Sequence, residues 1–364
     1  MFNANVIDRN FINMDEIFEV KTVNSGDRVS AFRYDLKELP EYYTFGGEKK
    51  RTADFINHLH TTGLIVLRGD TVLYEEYFRQ NSEKSKAILW SISKSVVSAL
   101  FGIAVGEGHI QSIEQTVTEY LPFLKDSGYN GVRIKDVLQM SSGIDFNEDY
   151  TDFFSDINRL GRAWVLDYPL DKFVASLKAG VEPGTYNRYI STDTLVLSMI
   201  IAAATGKSLT EYTAEKLWKP AGMESDAFWL VDGAGMEATF GGLNAVLRDL
   251  ARFGLIYLNN GKIQGKQIVP ADWVEASVTP DAPHLMPGEN PASEWVFGYG
   301  YQWWIPENPD GDFIALGICG QAVYVYPRYN IVIARTAAYP DYDNDGEDLE
   351  IESINFFRAI ARGI

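Results

Sequence analysis

Residues 91–108 read SISKSVVSALFGIAVGEG. Apolar side chains run nearly all round a 3.6-residue repeat, and Gly106 and Gly108 stand where such a repeat can end. A helix that is apolar on every side has to be buried, so the segment predicts a central core helix. From there to about residue 280 helical spacing dominates, at Ile134–Met140, Thr192–Thr205, Leu209–Leu217 and Leu243–Leu258. Strand signals flank this block on both sides. GLIVLRGDTVLYEEYF at 63–78 has two β-rich runs about Arg68-Gly69-Asp70-Thr71, which predicts a hairpin. FGYGYQWWI, FIALGICG, AVYVYP and NIVIARTAA follow Trp295, and LEIESINFFRAIARGI returns to helical spacing.

Strands at both ends with helices between, and no strand–helix alternation, predict an antiparallel sheet assembled from the two ends of the chain. The fold class expected is α+β. Residues 1–85 and 285–364 would form a discontinuous α/β domain with terminal helices, and residues 86–284 an inserted, mainly helical domain. Residues 1–50 read as an irregular extension of the first.

With 364 residues, 46% hydrophobic and 23% charged, the chain is long enough for two such units, and disorder is excluded as its dominant state. A formal net charge of −18 repels phosphate backbones and anionic lipid heads, so neither nucleic acid nor membrane is expected as a partner. The first residues, MFNANVIDRNFINMDEIF, lack a basic segment followed by an apolar one, and one cysteine excludes an internal disulfide framework. The compartment expected is the cytoplasm, and the oligomeric state is left open.

Ser91-Ile92-Ser93-Lys94 opens the buried helix and is the only Ser-x-x-Lys in the chain. Residues i and i+3 share a helix face, so Ser91 Oγ and Lys94 Nζ can meet. A serine needs a base to become a nucleophile, and burial turns lysine into one by disfavouring its ammonium form. The plainer reading makes Ser91 an N-cap and Lys94 a solvated lysine. A second constellation, PGTYNRYIS at 183–191, delivers Tyr189 just ahead of a helix. Beside an ammonium its phenol is expected to have a lowered pKa and to relay protons; otherwise it only packs. The third is Gly317-Ile318-Cys319-Gly320-Gln321, where glycine lets backbone approach a ligand and Gln321 can offer an oxyanion N–H. Otherwise it is a glycine bulge.

Together and in this order, the three resemble the serine hydrolases of the β-lactamase/penicillin-binding-protein superfamily. The resemblance is to the class C β-lactamase and esterase branch, and within it to the 6-aminohexanoate-dimer hydrolase group. It is carried by DVLQMSSGIDFNEDYTDFFSD, RYISTDTLVLSMIIAAATG, LRDLARFGLIYLNNG, GYQWW and GICGQAVYVYPRYNIVI, within residues 55–340. It implies the β-lactamase/transpeptidase-like fold and cleavage of a small amide or ester through an acyl-enzyme, without a cofactor. It makes Ser91 the nucleophile, Lys94 its activator and Tyr189 the proton relay to the leaving group. The oxyanion would lie between the N–H groups of Ser91 and Gln321. Tyr150, Ser191, Ile318, Cys319 and Gly320 would face substrate. Ser191 stands where the branch usually has asparagine, and Ile318 where it has Lys or His. An isoleucine cannot hold a substrate carboxylate by a charge-assisted bond. β-Lactamase and D-Ala-D-Ala carboxypeptidase activity are therefore the secondary reading, and a binding or sensor domain without turnover is the third.

His58, His60, His109 and His284 are scattered without metal-ligand spacing, so no catalytic metal is expected. Asp341, Asp343, Asp345, Gly346 and Glu352 match the calcium-loop pattern, against the alternative of a solvated acidic turn ahead of the last helix.

Overall fold

The computed structural model describes residues 1–364. The expected hairpin forms from Thr61–Arg68 and Thr71–Tyr77, with Gly69 at φ 55° in the turn. Ile331–Ala337 pairs antiparallel with Thr61–Arg68 and brings the two ends of the chain together. The full sheet has eight strands, in the order Gly298–Tyr299, Trp304–Ile305, Phe313–Gly317, Gln321–Tyr326, Ile331–Ala337, Thr61–Arg68, Thr71–Tyr77 and Arg33–Tyr34. It is antiparallel except at its last edge, where Arg33–Tyr34 runs parallel to Thr71–Tyr77.

Alternation along each strand divides the side chains between two cores. Ile65, Leu67, Val323, Val325, Val332 and Ala334 enter the larger one, which also holds the helix Ile92–Gly106. Leu64, Val66, Tyr324, Tyr326, Ile331 and Ile333 face Phe356, Phe357 and Ile360 of the C-terminal helix, Tyr342–Gly363. Both faces are covered, which is why these strands read as unbroken apolar runs. In the Ile92–Gly106 helix a Cβ at Gly102 would fall 2.3 Å from the Trp273 ring. That ring is wedged between Phe101 and Tyr301, with centroids 5.9 and 5.1 Å away. Gly102→Ala is therefore expected to lower the melting temperature. The better helix former gains about 1 kcal/mol, but overpacking costs about 1–3 kcal/mol. Thermal unfolding followed by circular dichroism checks this, and a raised midpoint would show that Trp273 yields freely.

Two expectations are corrected and one open alternative is decided. Residues 243–258 are not one helix: Leu243–Ala245 is a strand held between Ala227–Leu230 and Ala87–Ile88, and helix begins at Leu247. The N-terminal extension is not wholly irregular, because Val20–Val23 is the edge strand of that same four-stranded sheet. The acidic stretch after Asp341 is no calcium loop. It is helical from Tyr342, and Glu352 points away to meet Tyr43 Oη and, at 2.8 Å, Lys50 Nζ. We propose the division near residues 85 and 285 as one of architecture. Val20–Val23 crosses it, and a single core of 84 buried residues runs from Ile7 to Ala338. No helix is long and apolar enough to cross a membrane.

Candidate active site

Ser91 has helical backbone angles (φ −68°, ψ −9°), and its side chain makes no capping bond. The capping alternative therefore fails. Trp90 before it is held at φ 47°, a strained value for a bulky residue, and that bend aims the serine into a cavity. Ser91 Oγ accepts a hydrogen bond from Lys94 Nζ at 2.8 Å. Lys94 is not solvated: it is 2% exposed, donates also to the Phe240 carbonyl at 2.6 Å, and lies 4.9 Å from the Tyr189 ring centroid. Burial pulls its pKa down to about 7, partly opposed by the charge of Glu148.

The 183–191 turn is pinned to its neighbours. Asn187 Nδ2 donates to the Gln139 carbonyl at 2.9 Å, and the Arg188 N–H donates to the Met140 carbonyl at 2.9 Å. This puts the Tyr189 ring parallel to Trp304, 5.4 Å away, with its hydroxyl against Ser91. The expected acidic shift of this phenol is not found. Burial, then the negative charge of Glu148, push it well above its usual value, so Tyr189 stays a neutral O–H donor.

The cavity has a volume of about 840 Å³. Ser91, Tyr189, Tyr150 and Ile318 line it, joined by Trp295, Trp304 and the first two turns of the C-terminal helix. Three of the expected substrate contacts, Ser191, Cys319 and Gly320, do not line it, and neither does Gln321. Gln321 is paired with Gly317 across the hairpin, and its side-chain amide is spent on the backbone of Ala337. Cys319 is buried at φ 62° with its thiol pKa raised by desolvation. Gly317 is required for a different reason from the one expected: a Cβ there would meet the Leu89 carbonyl at 2.5 Å. Its strand thus passes directly beside the approach to Ser91 and delivers Ile318. The Ser91 N–H donates to no backbone carbonyl, and Ile318 opens a short 3₁₀ turn, where the first N–H has no carbonyl within the turn to meet.

Ser191 has another task. Its N–H donates to Glu148 Oε2 at 3.0 Å and its Oγ to Glu148 Oε1 at 2.5 Å. Tyr150 Oη donates to the same Oε1 at 3.0 Å. Glu148, beside the quoted tyrosine but not singled out in the sequence, is thus fixed in the cavity wall. Burial raises its pKa, opposed chiefly by Lys94. Eight further carboxylates line the cavity, among them Asp149, Asp343, Asp345 and Glu350, against one guanidinium, Arg188. That guanidinium is already paired with Glu294 at 2.6 Å.

A sheet assembled from both chain ends, with a serine that lines a cavity beside it and a buried amine bonded to that serine, defines the class as hydrolases of amide or ester bonds. The chain belongs to the beta-lactamase family, whose model matches residues 51–352. It is 34% identical over 291 residues to a 6-aminohexanoate-dimer hydrolase of Paenarthrobacter ureafaciens, covering 78% of this chain and 74% of that one. A solved structure from Bacillus anthracis, assigned to the 6-aminohexanoate-dimer hydrolases, superposes with a TM-score of 0.87 at 25% identity, over 99% of this chain and 95% of that one. A family VIII carboxylesterase shares the fold, with a TM-score of 0.64 at 16% identity over 86% and 95% of the two chains.

Proposed function

We propose that the protein is a serine hydrolase that cleaves small linear amides or esters through an acyl-enzyme, as a 6-aminohexanoate-dimer-hydrolase-like or carboxylesterase-like enzyme. The observation that carries this reading is the 2.8 Å contact between Ser91 Oγ, which lines the cavity, and Lys94 Nζ, buried behind it. With its ammonium form disfavoured, neutral Lys94 takes the Ser91 proton as Oγ attacks the substrate carbonyl. The oxyanion then accepts from the N–H groups of Ser91 and Ile318, in place of the expected Gln321, because Ile318 lines the cavity and Gln321 does not. Tyr189, kept neutral, donates its proton to the leaving group. Water attacks the acyl-enzyme by the reverse proton path. These steps need only groups of the chain itself. We also propose the cytoplasm as the place of action, on the −18 charge and the single cysteine.

The carboxylate-rich wall reinforces the argument from Ile318 that anionic substrates are poorly held, which places β-lactams and peptide C-termini behind neutral or cationic compounds. Short p-nitrophenyl esters and linear amides are therefore expected to turn over much faster than nitrocefin. Ile318→Lys should shift the balance towards anionic substrates. A nitrocefin kcat/KM near about 10⁶ M⁻¹s⁻¹ would contradict the reading. No turnover of any ester or amide in the panel would favour the binding-domain alternative.

A further inference from the structure

We propose that Glu148 is a positioning residue of the reaction: held by Ser191 and Tyr150, it is the fixed counter-charge that governs when Lys94 can act as a base. The inference rests on the roles given above to Ser91 and Lys94.

Glu148 is placed by two elements that differ from the lysine's own. Its loop follows the strand Ile144–Asp145 and is tied down by Asp156, which accepts from the Asn147 N–H at 2.9 Å, and by Asn158, which donates to the Tyr150 carbonyl at 2.9 Å. Its carboxylate then covers the start of the helix Ser191–Thr205. Ile190, at the cap position, provides no side-chain cap, and Glu148 accepts the first free N–H in its place. Free amides and the helix dipole favour the charged form of a carboxylate here. Both oxygens are therefore bonded in a defined orientation.

Lys94 meets only neutral partners at hydrogen-bond distance, Ser91 Oγ and the Phe240 carbonyl. The Tyr189 ring, from the turn before the 191–205 helix, lies 4.9 Å from its Nζ, and Tyr150 from the Glu148 loop and Tyr342 and Glu350 from the C-terminal helix line the cavity that Ser91 opens into. Ser191, two residues on from Tyr189, holds the Glu148 carboxylate, so the charge of Glu148 is brought to the same side of the lysine as that ring and acts on it. Burial pushes both Lys94 and Glu148 towards their neutral forms, and each opposes the effect on the other. The pair therefore titrates together, and its first protonation sets the acid limb of activity. This also accounts for Ser191 at the position where the branch usually has asparagine: a short hydroxyl leaves room for the carboxylate that it holds.

The sign follows from charge. An anionic Glu148 favours the ammonium of Lys94, whereas the base must be neutral. Glu148→Gln keeps the length and one accepting oxygen but removes the charge. The acid limb of kcat/KM for p-nitrophenyl acetate should then move to lower pH by about one unit or more, and below the limb the variant should keep about a tenfold larger fraction of its own plateau. Ser191→Ala and Tyr150→Phe, which weaken the hold on the carboxylate, should move the limb the same way by less. They serve as the test if Glu148→Gln does not fold by circular dichroism. The rate of Ser91 labelling by a fluorophosphonate, followed by mass spectrometry against pH, should show the same displacement. A uniform loss at all pH values with an unmoved limb, or a limb moved upward, overturns this inference alone. Failure of the unaltered protein to label at Ser91 overturns the functional reading and this inference with it.

Discussion

Ser91→Ala is expected to remove fluorophosphonate labelling altogether and to cut ester turnover by about five to six orders of magnitude. The chain has other buried serines, and Ser93, Ser95 and Ser98 lie on the same helix. None of them competes. Ser93 Oγ accepts from the Leu243 N–H at 3.1 Å, Ser95 Oγ donates to the Gln302 carbonyl at 2.6 Å, and neither lines the cavity. Only the Ser91 hydroxyl stands against a buried amine and opens into the cavity. Because Ser91 Oγ makes no capping bond, its removal costs the fold little. The midpoint of thermal unfolding should stay where it was or rise, as is usual when a strained site is relaxed. Loss of activity with unchanged stability separates a nucleophile from a structural serine. Labelling of Ser91→Ala at full stoichiometry would sink the assignment, and peptide mapping of the adduct would then show which side chain reacts.

The parts of this site that were legible in the sequence are those that act through local spacing. Ser91 and Lys94 are three residues apart on one helix, and a lysine in the first turn of an all-apolar helix has nowhere polar to go. The strands are legible because short β-branched and aromatic runs bounded by turn residues are local too. What was not legible depends on contacts between distant segments. Leu243-Asn244-Ala245 lies next to a helix and is apolar enough to continue it; only the strands at 227–230 and 87–88 make it extended. Glu148 is one of 50 acidic residues, and nothing near it in sequence announces that Ser191 will bind its carboxylate. The third motif points to Gln321 by its spacing, whereas the residue that the Gly317 strand presents to the cavity after passing the Leu89 carbonyl is Ile318. The direction of the Tyr189 shift is not legible from its nearness to a lysine, because burial and then the charge of Glu148 decide it, and both come from distant segments. The acidic run after Asp341 fits a metal-loop pattern, but its carboxylates also suit the first turn of a helix, and the helix prevailed.

Lys94 and Tyr189 should separate on a matched pair of substrates. Lys94 touches the nucleophile directly, so its removal affects acylation, the step that esters and amides share. Lys94→Ala is expected to lower kcat/KM by about two to four orders of magnitude on both. Lys94→Met, closer in length, checks that the loss is not one of packing. Tyr189 has a different relation to the reaction. Its phenol is held neutral by burial and by Glu148, so near neutral pH it can give a proton but is a poor acceptor. A phenolate leaving group is weakly basic and departs without help, whereas an amine must be protonated as it leaves. Tyr189→Phe keeps the stack on Trp304 and removes only the hydroxyl. It should lower amide hydrolysis by about two orders of magnitude or more and leave an activated phenyl ester within about tenfold. The measurement is kcat/KM for the ester and amide with the same acyl group across the variants. Equal losses on both substrates in Tyr189→Phe would mean that the phenol works on the Ser91 hydroxyl it faces, and that Lys94 and Tyr189 act as one base.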